Sequence, residues 1–194
     1  MDIQENSSQN DEIARPEEKK VLVLKILVAG EGNSGKTSLI RRYCIGDFDK
    51  YRAHTIGLDF YSKELQLKAG TIKLSIWDLG GQPQFKTIRT EFYRGSRVTA
   101  LVFDLSNYDS LRALPMWYKE IKHALPNQPF LVIGNKNDLR RKVDTEVPKR
   151  FAETINAPYL ETSAKDDYQV GKMFNYLARL AISQEDISPR PSNS

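Results

Sequence analysis

Runs of apolar residues along this chain switch between two periods, and the switches divide it into elements. VLVLKILVA (21–29) is a nearly unbroken β-branched and leucine run, the pattern of a strand covered on both faces. KTSLIRRYCI (36–45) carries helical spacing at Leu39, Ile40 and Tyr43. LDFYSKELQL (58–67) and TIKLSIWDL (71–79) flank Lys68-Ala69-Gly70, and Ile72, Leu74 and Ile76 alternate, which predicts a hairpin. VTALVFDL (98–105) and PFLVIGN (129–135) read as further buried strands. The spacing predicts a helix over 108–124, reset at Pro115, because proline suits a first helical turn and not an interior. A helix over 146–155 has Thr145 as its expected N-cap and Pro148 in its first turn. APYLETS (157–163) is the last predicted strand. A last helix over 170–182 carries a core stripe of Met173, Phe174, Leu177 and Leu180.

Strands alternating with helices predict an α/β class, with helices on both faces of a mostly parallel sheet and an antiparallel edge from the hairpin. Ligands of such sheets bind beyond the carboxyl ends of the strands. Residues 1–20 are polar, acidic and free of aromatics, and are expected to form a disordered extension. Residues 183–194 read as a similar flexible tail, which leaves one domain over 21–182. No internal repeat is visible.

Composition narrows the classes. The chain has 194 residues, 40% hydrophobic and 28% charged, ordinary for one globular domain. Cys44 is its only cysteine, which excludes an internal disulfide framework and points to a reducing, cytoplasmic setting. His54 and His123 are far apart, against a histidine metal site. The net charge of +4 is uneven: residues 1–20 carry six acids and three bases, leaving +7 on the rest. The bases are scattered, with only short runs such as Lys136 to Lys142, and nothing resembles a nucleic-acid reading helix or stacking sheet, so nucleic acid is not an expected partner. The longest apolar stretch, 21–30, is interrupted by Lys25 and is too short to span a bilayer.

The chemistry begins at Gly30-Glu31-Gly32-Asn33-Ser34-Gly35-Lys36-Thr37, which fits G-x-x-x-x-G-K-[ST] and leaves a predicted strand to enter a predicted helix. Glycines let backbone N–H groups wrap phosphate oxygens, and the helix N-terminus adds partial positive charge. Lys36 supplies a cation for terminal phosphates, and Thr37 offers a hydroxyl to Mg²⁺, a cation of hard oxygen ligands. Asn135-Lys136-Asn137-Asp138 follows a buried strand. A carboxylate at Asp138 can accept from guanine N1–H and its 2-amino group, donors that adenine lacks. Glu161-Thr162-Ser163-Ala164-Lys165 follows the last strand at the same edge. Trp77-Asp78-Leu79-Gly80-Gly81-Gln82 ends the hairpin: Asp78 can meet Mg²⁺ through water, and Gln82 can position an attacking water. Thr55 lies in the loop between the first helix and the second strand.

Together these residues resemble the Ras superfamily of small GTPases over about residues 20–182, with all five signature boxes in order. Thr55-Ile56-Gly57-Leu58-Asp59-Phe60, Phe92-Tyr93-Arg94-Gly95 and Leu101-Val102-Phe103-Asp104 look most like the Rab branch. The resemblance implies a three-layer P-loop NTPase fold with a six-stranded, mostly parallel sheet and one antiparallel edge strand. It implies a switch that binds GTP or GDP with Mg²⁺ and slowly hydrolyses GTP. Gly32, Asn33, Ser34, Gly35, Lys36, Thr37 and Ser38 would hold the phosphates, with Thr37 and Thr55 on Mg²⁺ and the Gly81 N–H on the γ-phosphate. Phe48 would pack on the guanine, Asn135 and Asp138 would read it, Lys136 would stack along it, and the Ala164 N–H, between Ser163 and Lys165, would meet its O6. Catalysis would rest on Gln82, Lys36, Thr55 and Gly81. Effectors, exchange factors and GTPase-activating proteins are the implied partners, and a monomer the implied state.

Two departures from the Rab pattern stand out. The sequence as given ends Pro-Arg-Pro-Ser-Asn-Ser and begins Met1-Asp2, so neither prenylation at that end nor N-myristoylation is expected, and membrane contact would come through a partner. Rab-like chains commonly read W-D-T-A-G-Q-E where this one reads W-D-L-G-G-Q-P. Gly80 beside Gly81 is expected to loosen the backbone, and Pro83 biases Gln82 away from helical angles. An interaction module that binds guanine nucleotide without turnover is therefore the competing reading, opposed by the retained Lys36, Thr37, Thr55, Asp78 and Gln82. Replacing Pro83 with Glu is expected to raise the intrinsic hydrolysis rate, read as phosphate release in a single turnover; an unchanged rate would remove Pro83 from the explanation.

Overall fold

The computed structural model describes residues 21–49, 57–67, 70–80 and 86–183. The expected acidic extension over 1–20, and the expected tail beyond Ser183, lie outside them. The chain runs β1 (Leu22–Ala29), α1 (Lys36–Ile45), β2 (Leu58–Leu67), β3 (Gly70–Leu79), α2 (Lys86–Glu91), β4 (Val98–Asp104), α3 (Tyr108–Arg112), α4 (Leu114–Ala124), β5 (Phe130–Asn135), α5 (Glu146–Thr154), β6 (Tyr159–Glu161) and α6 (Val170–Ser183). The six strands form one sheet in the order β2-β3-β1-β4-β5-β6. Only the β2–β3 pair is antiparallel, so β1, β3, β4, β5 and β6 end at the same edge.

Alternation along β1 builds two cores. Leu24, Ile26 and Val28 face one layer, where Leu39 and Ile40 of α1 and Met173, Phe174 and Leu177 of α6 close over Ala100, Val102 and Ile133. Leu27 and Ala29 face the other, where Trp117 and Ile121 of α4 and Ala152 of α5 cover Leu101, Phe103 and Val132. The apolar run of β1 is covered on both faces only toward its end: Val23 is 54% exposed. Lys25, which interrupts the run, lays its ammonium 3.4 Å from the centre of the Trp77 ring and donates to the Arg94 carbonyl at 2.9 Å. Burial pushes that ammonium's pKa down.

Locally, one expectation holds, one changes and one short element is new. The reset expected at Pro115 is present: residues 108–124 form two helices that meet at Ala113, with Pro115 in the first turn of the second. Thr145 does not cap α5 with its side chain: its own backbone is already helical, and Asp144 one residue earlier accepts the Glu146 N–H at 2.8 Å. The short helix α2 has no predicted counterpart, because six residues carry too little apolar period to read.

The described side-chain contact that ties α2 to the body of the domain is polar and buried. Arg89 is 5% exposed and donates from Nε and Nη2 to the two carboxylate oxygens of Glu120 on α4, each at 2.7 Å. The Tyr93 hydroxyl donates to Glu120 at 2.6 Å, and the guanidinium lies 4.0 Å from the centre of the Trp117 ring. A buried pair is costly to break one-sidedly, because the remaining charge loses both water and its partner. Glu120→Ala should therefore cost about 3–5 kcal/mol in urea denaturation. Arg89→Met with Glu120→Leu should cost clearly less, and equal losses would show that pairing is not what seats α2.

Candidate functional site

The site begins where β1 ends. Gly30 turns the chain with φ +142, and a Cβ there would lie 2.1 Å from the Val102 carbonyl oxygen. Asn33 takes positive φ (63) and Gly35 follows at 87, curling the backbone into the start of α1. Ser34, fully buried, donates from its hydroxyl to the Glu31 carbonyl at 2.9 Å. Gly32 faces open space, and Ser38 is half-buried in the first turn of α1. No side chain caps α1. A curled loop running into an uncapped helix start is a concavity of backbone N–H groups, suited to anionic oxygens.

Lys36 lies across this loop. Its Nζ donates to the carbonyls of Gly30 and Glu31, both at 2.8 Å, and the residue is 6% exposed. Burial pushes its pKa down, while the charges of Asp78 and Glu31 pull it back up. The Thr37 hydroxyl donates to Asp78 Oδ2 across from β3. A hydroxyl and a buried carboxylate in contact beside an anion cradle are the hard oxygen donors that Mg²⁺ takes, so the residues present fit that ion. Among the described residues no cluster of three or more His, Cys, Asp or Glu side chains could hold a metal by itself.

The second half comes from the ends of β5 and β6. Asn135, 1% exposed, donates from Nδ2 to the Ser34 carbonyl at 2.9 Å and accepts from the Thr162 hydroxyl at 3.2 Å. A Cβ on Gly35 would lie 2.3 Å from that same Nδ2. Lys136 takes φ 65 and pairs with Asp104, the last residue of β4, at 2.7 Å. The Ser163 hydroxyl donates to Asp138 Oδ1 at 2.6 Å, while Lys165 Nζ lies 3.9 Å from Oδ2. Ser163 and Ala164 are buried, and Phe48 is half-buried against the α1–α6 core.

Thus Lys36, Thr37, Asp78, Asn135, Lys136, Asp138, Ser163, Ala164 and Lys165 gather at one edge of the sheet. Thr55, Gly81 and Gln82 lie outside the described residues, as does Pro83. Asp104 and Thr162 belong to the site and were not anticipated. Asp104 was legible as the charged residue closing a mostly apolar, buried strand at the ligand edge, whereas Thr162 needed the fold to face Asn135. Gly80 is not slack: its N–H donates to the Gly57 carbonyl at 2.8 Å.

A family model described as "Ras family" matches residues 25–183. Ras-related protein Rab-9B of Mus musculus is 40% identical over 174 residues, 86% of this chain and 87% of that protein. Ras-related protein Rab-1C of Dictyostelium discoideum is 38% identical over 81% of this chain and 80% of its own length. The GTP-binding protein ypt1 of Schizosaccharomyces pombe is 36% identical over 81% and 79%.

A Cβ on Gly80 would lie 2.4 Å from the Gly57 carbonyl oxygen. Gly80→Ala should therefore separate the two segments, with a loss of about 1–3 kcal/mol in thermal unfolding and faster hydrogen exchange at the residue 80 amide. Unchanged exchange would show that the close approach is dispensable.

Proposed function

This chain belongs to the Ras family of small GTPases, and on that premise we propose that it is a Rab-like switch that binds GTP or GDP with Mg²⁺ and slowly hydrolyses GTP. The observation that carries the proposal is the Asn135–Ser34 bond, which joins the segment suited to a base to the loop suited to phosphates. One nucleotide, with its base and phosphates at opposite ends, spans such a pair of sites.

In this reading the backbone of Gly32 to Ser38 wraps the phosphates and Lys36 exchanges its two carbonyl acceptors for β- and γ-phosphate oxygens. Thr37 and Thr55 would hold Mg²⁺, with Asp78 reaching it through water. The ion held there would supply positive charge against that carried by the phosphates. Gln82 orients a water toward the γ-phosphorus, and the Gly81 N–H holds the γ-phosphate. The water oxygen bonds to phosphorus as the β–γ bridging bond breaks, leaving GDP and phosphate. Asp138, kept in place by Ser163, accepts from the guanine N1–H and 2-amino group. Lys136 lies along the ring, Phe48 packs on it, and the Ala164 N–H meets O6.

Thr55 and Gly81 lie on segments that end, among described residues, at Gly57 and Gly80, which already touch. Contacts to a γ-phosphate would hold both segments together, and hydrolysis would release them. Effectors would read that difference. Phe60, 54% exposed, packs edge-on against Trp77 at 4.4 Å, and Trp77 lies 5.8 Å from Phe92. This aromatic patch borders both segments and suits an apolar partner surface. No described helix is long and apolar enough to cross a membrane. The half-buried Cys44 fits a reducing compartment, and the cytoplasm is the proposed location.

The test is to denature the purified protein, identify the nucleotide released, then reload with labelled GTP and Mg²⁺ and follow a single turnover with Gln82→Leu alongside. GDP on release, and slow phosphate production that falls further in the variant, are expected. Retained GTP without turnover would favour a non-hydrolysing module, and no guanine nucleotide even after loading would overturn the proposal.

A further inference from the structure

Arg42 lies in the last turn of α1, the helix that starts at the phosphate loop. Its guanidinium reaches 122 residues along the chain: Nε donates to the Ala164 carbonyl at 2.8 Å and Nη2 to the Lys165 carbonyl at 3.1 Å. Nη1 donates to the Gly46 carbonyl at 2.9 Å, directly after the helix. Its central carbon also lies 5.9 Å from the centre of the Phe48 ring. One planar fork therefore grips the loop after β6, the end of α1 and the neighbourhood of an aromatic side chain. Only arginine offers several donors in a fixed plane; a lysine ammonium is a point donor on a flexible stem.

The gripped loop has little else at that point. Ala164 is 3% exposed, and its N–H has no acceptor among the described residues. The neighbouring Ser163 is held from the other side, by Asp138 and by paired backbone bonds with Tyr168. The carbonyl of Ala164 is held by Arg42, and its N–H belongs to the preceding peptide plane, joined to the first at the Ala164 Cα. Each peptide plane is rigid, so with the carbonyl side held by Arg42 the N–H orientation is left to the φ and ψ of Ala164 alone.

We infer that Arg42 is a positioning residue for recognition of the six-position of a guanine base, acting through the Ala164 N–H without touching the nucleotide. The inference rests on the guanine-binding reading above. It assigns the two edges of the base to two different supports. Arg42 sets the donor that meets O6, while Ser163 sets the Asp138 carboxylate that meets N1–H and the 2-amino group. Because Arg42 and Lys36 share α1, it also ties the base end of the nucleotide to the phosphate end by a path separate from Asn135.

The test is competition of GDP, 6-thio-GDP and IDP against a fluorescent GDP analogue on the full chain, in Arg42→Ala, Arg42→Lys and the unchanged protein. 6-Thio-GDP replaces O6 by a weaker acceptor and keeps the edge facing Asp138. IDP keeps O6 and loses the 2-amino group. Arg42→Ala should weaken GDP and IDP alike, by about tenfold for the loss of charge-assisted hydrogen bonds, and 6-thio-GDP much less. The preference for GDP over 6-thio-GDP should therefore shrink while the preference for GDP over IDP is retained. Arg42→Lys, which preserves the charge and protects against an unfolded alanine variant, should behave like Arg42→Ala. Equal weakening of all three ligands would make Arg42 a merely structural residue and overturn the inference, as would full retention of both preferences in Arg42→Lys. Failure of the unchanged protein to bind GDP would instead remove the guanine reading itself, and this inference with it.

Discussion

The site depends on one shared volume. The space a Cβ on Gly35 would fill holds the Asn135 amide, whose Nδ2 bonds the Ser34 carbonyl. A side chain at residue 35 and that amide cannot both be present. The curl of the phosphate loop, the end of β5 and, through Thr162, the start of the β6–α6 loop are therefore set together. A similar exclusion acts at Gly30, where the Val102 carbonyl of β4 takes the place of a side chain. The loop is thus clamped against β4, which neighbours β1, and β5, one strand further along the sheet, and its shape follows from the sheet.

That dependence explains why a parallel sheet suits this chemistry. Parallel strands end at one edge, so segments far apart in sequence deliver their polar residues to the same place. β1 delivers Lys36 and Thr37, β3 delivers Asp78, and β4, β5 and β6 deliver Asp104, Asn135 and Ser163 in turn. The two apolar layers keep the edge rigid, and the polar side chains are held mostly by one another and by backbone carbonyls. Asp138 by Ser163, Lys136 by Asp104 and Asn135 by Thr162 are each neighbours in space only.

The parts suited to change are attached differently. α2 is six residues long, and a buried arginine–carboxylate pair ties its Arg89 to α4. The ends of the segments around Thr55 and Gly81 meet through one backbone bond, made close by the absence of a Cβ at Gly80. Where the common Rab pattern has alanine, this chain uses the glycine for closeness. The sequence expectation of a loosened backbone treated glycine as freedom alone, and left out that a missing side chain also permits approach.

Period and punctuation were enough to place nearly every strand and long helix, because apolar spacing reports directly which face is buried. Motif chemistry was enough to name Lys36, Thr37, Asn135 and Asp138 as candidates, since phosphate and guanine demand particular donors and acceptors. The sequence could not say that Asp144 rather than Thr145 caps α5, because that depends on one residue's backbone angles. It could not show α2, because six residues carry too little apolar period to read. Nor could it show that Arg42 holds Ala164, that Asp104 holds Lys136, or that Arg89 is buried on Glu120. Each of those pairs is distant in sequence, and a charged residue reads the same in a solvated face as in a buried clamp. Only the closing of the sheet and its helices, by bringing specific carbonyls and carboxylates within hydrogen-bond distance, decides between the two.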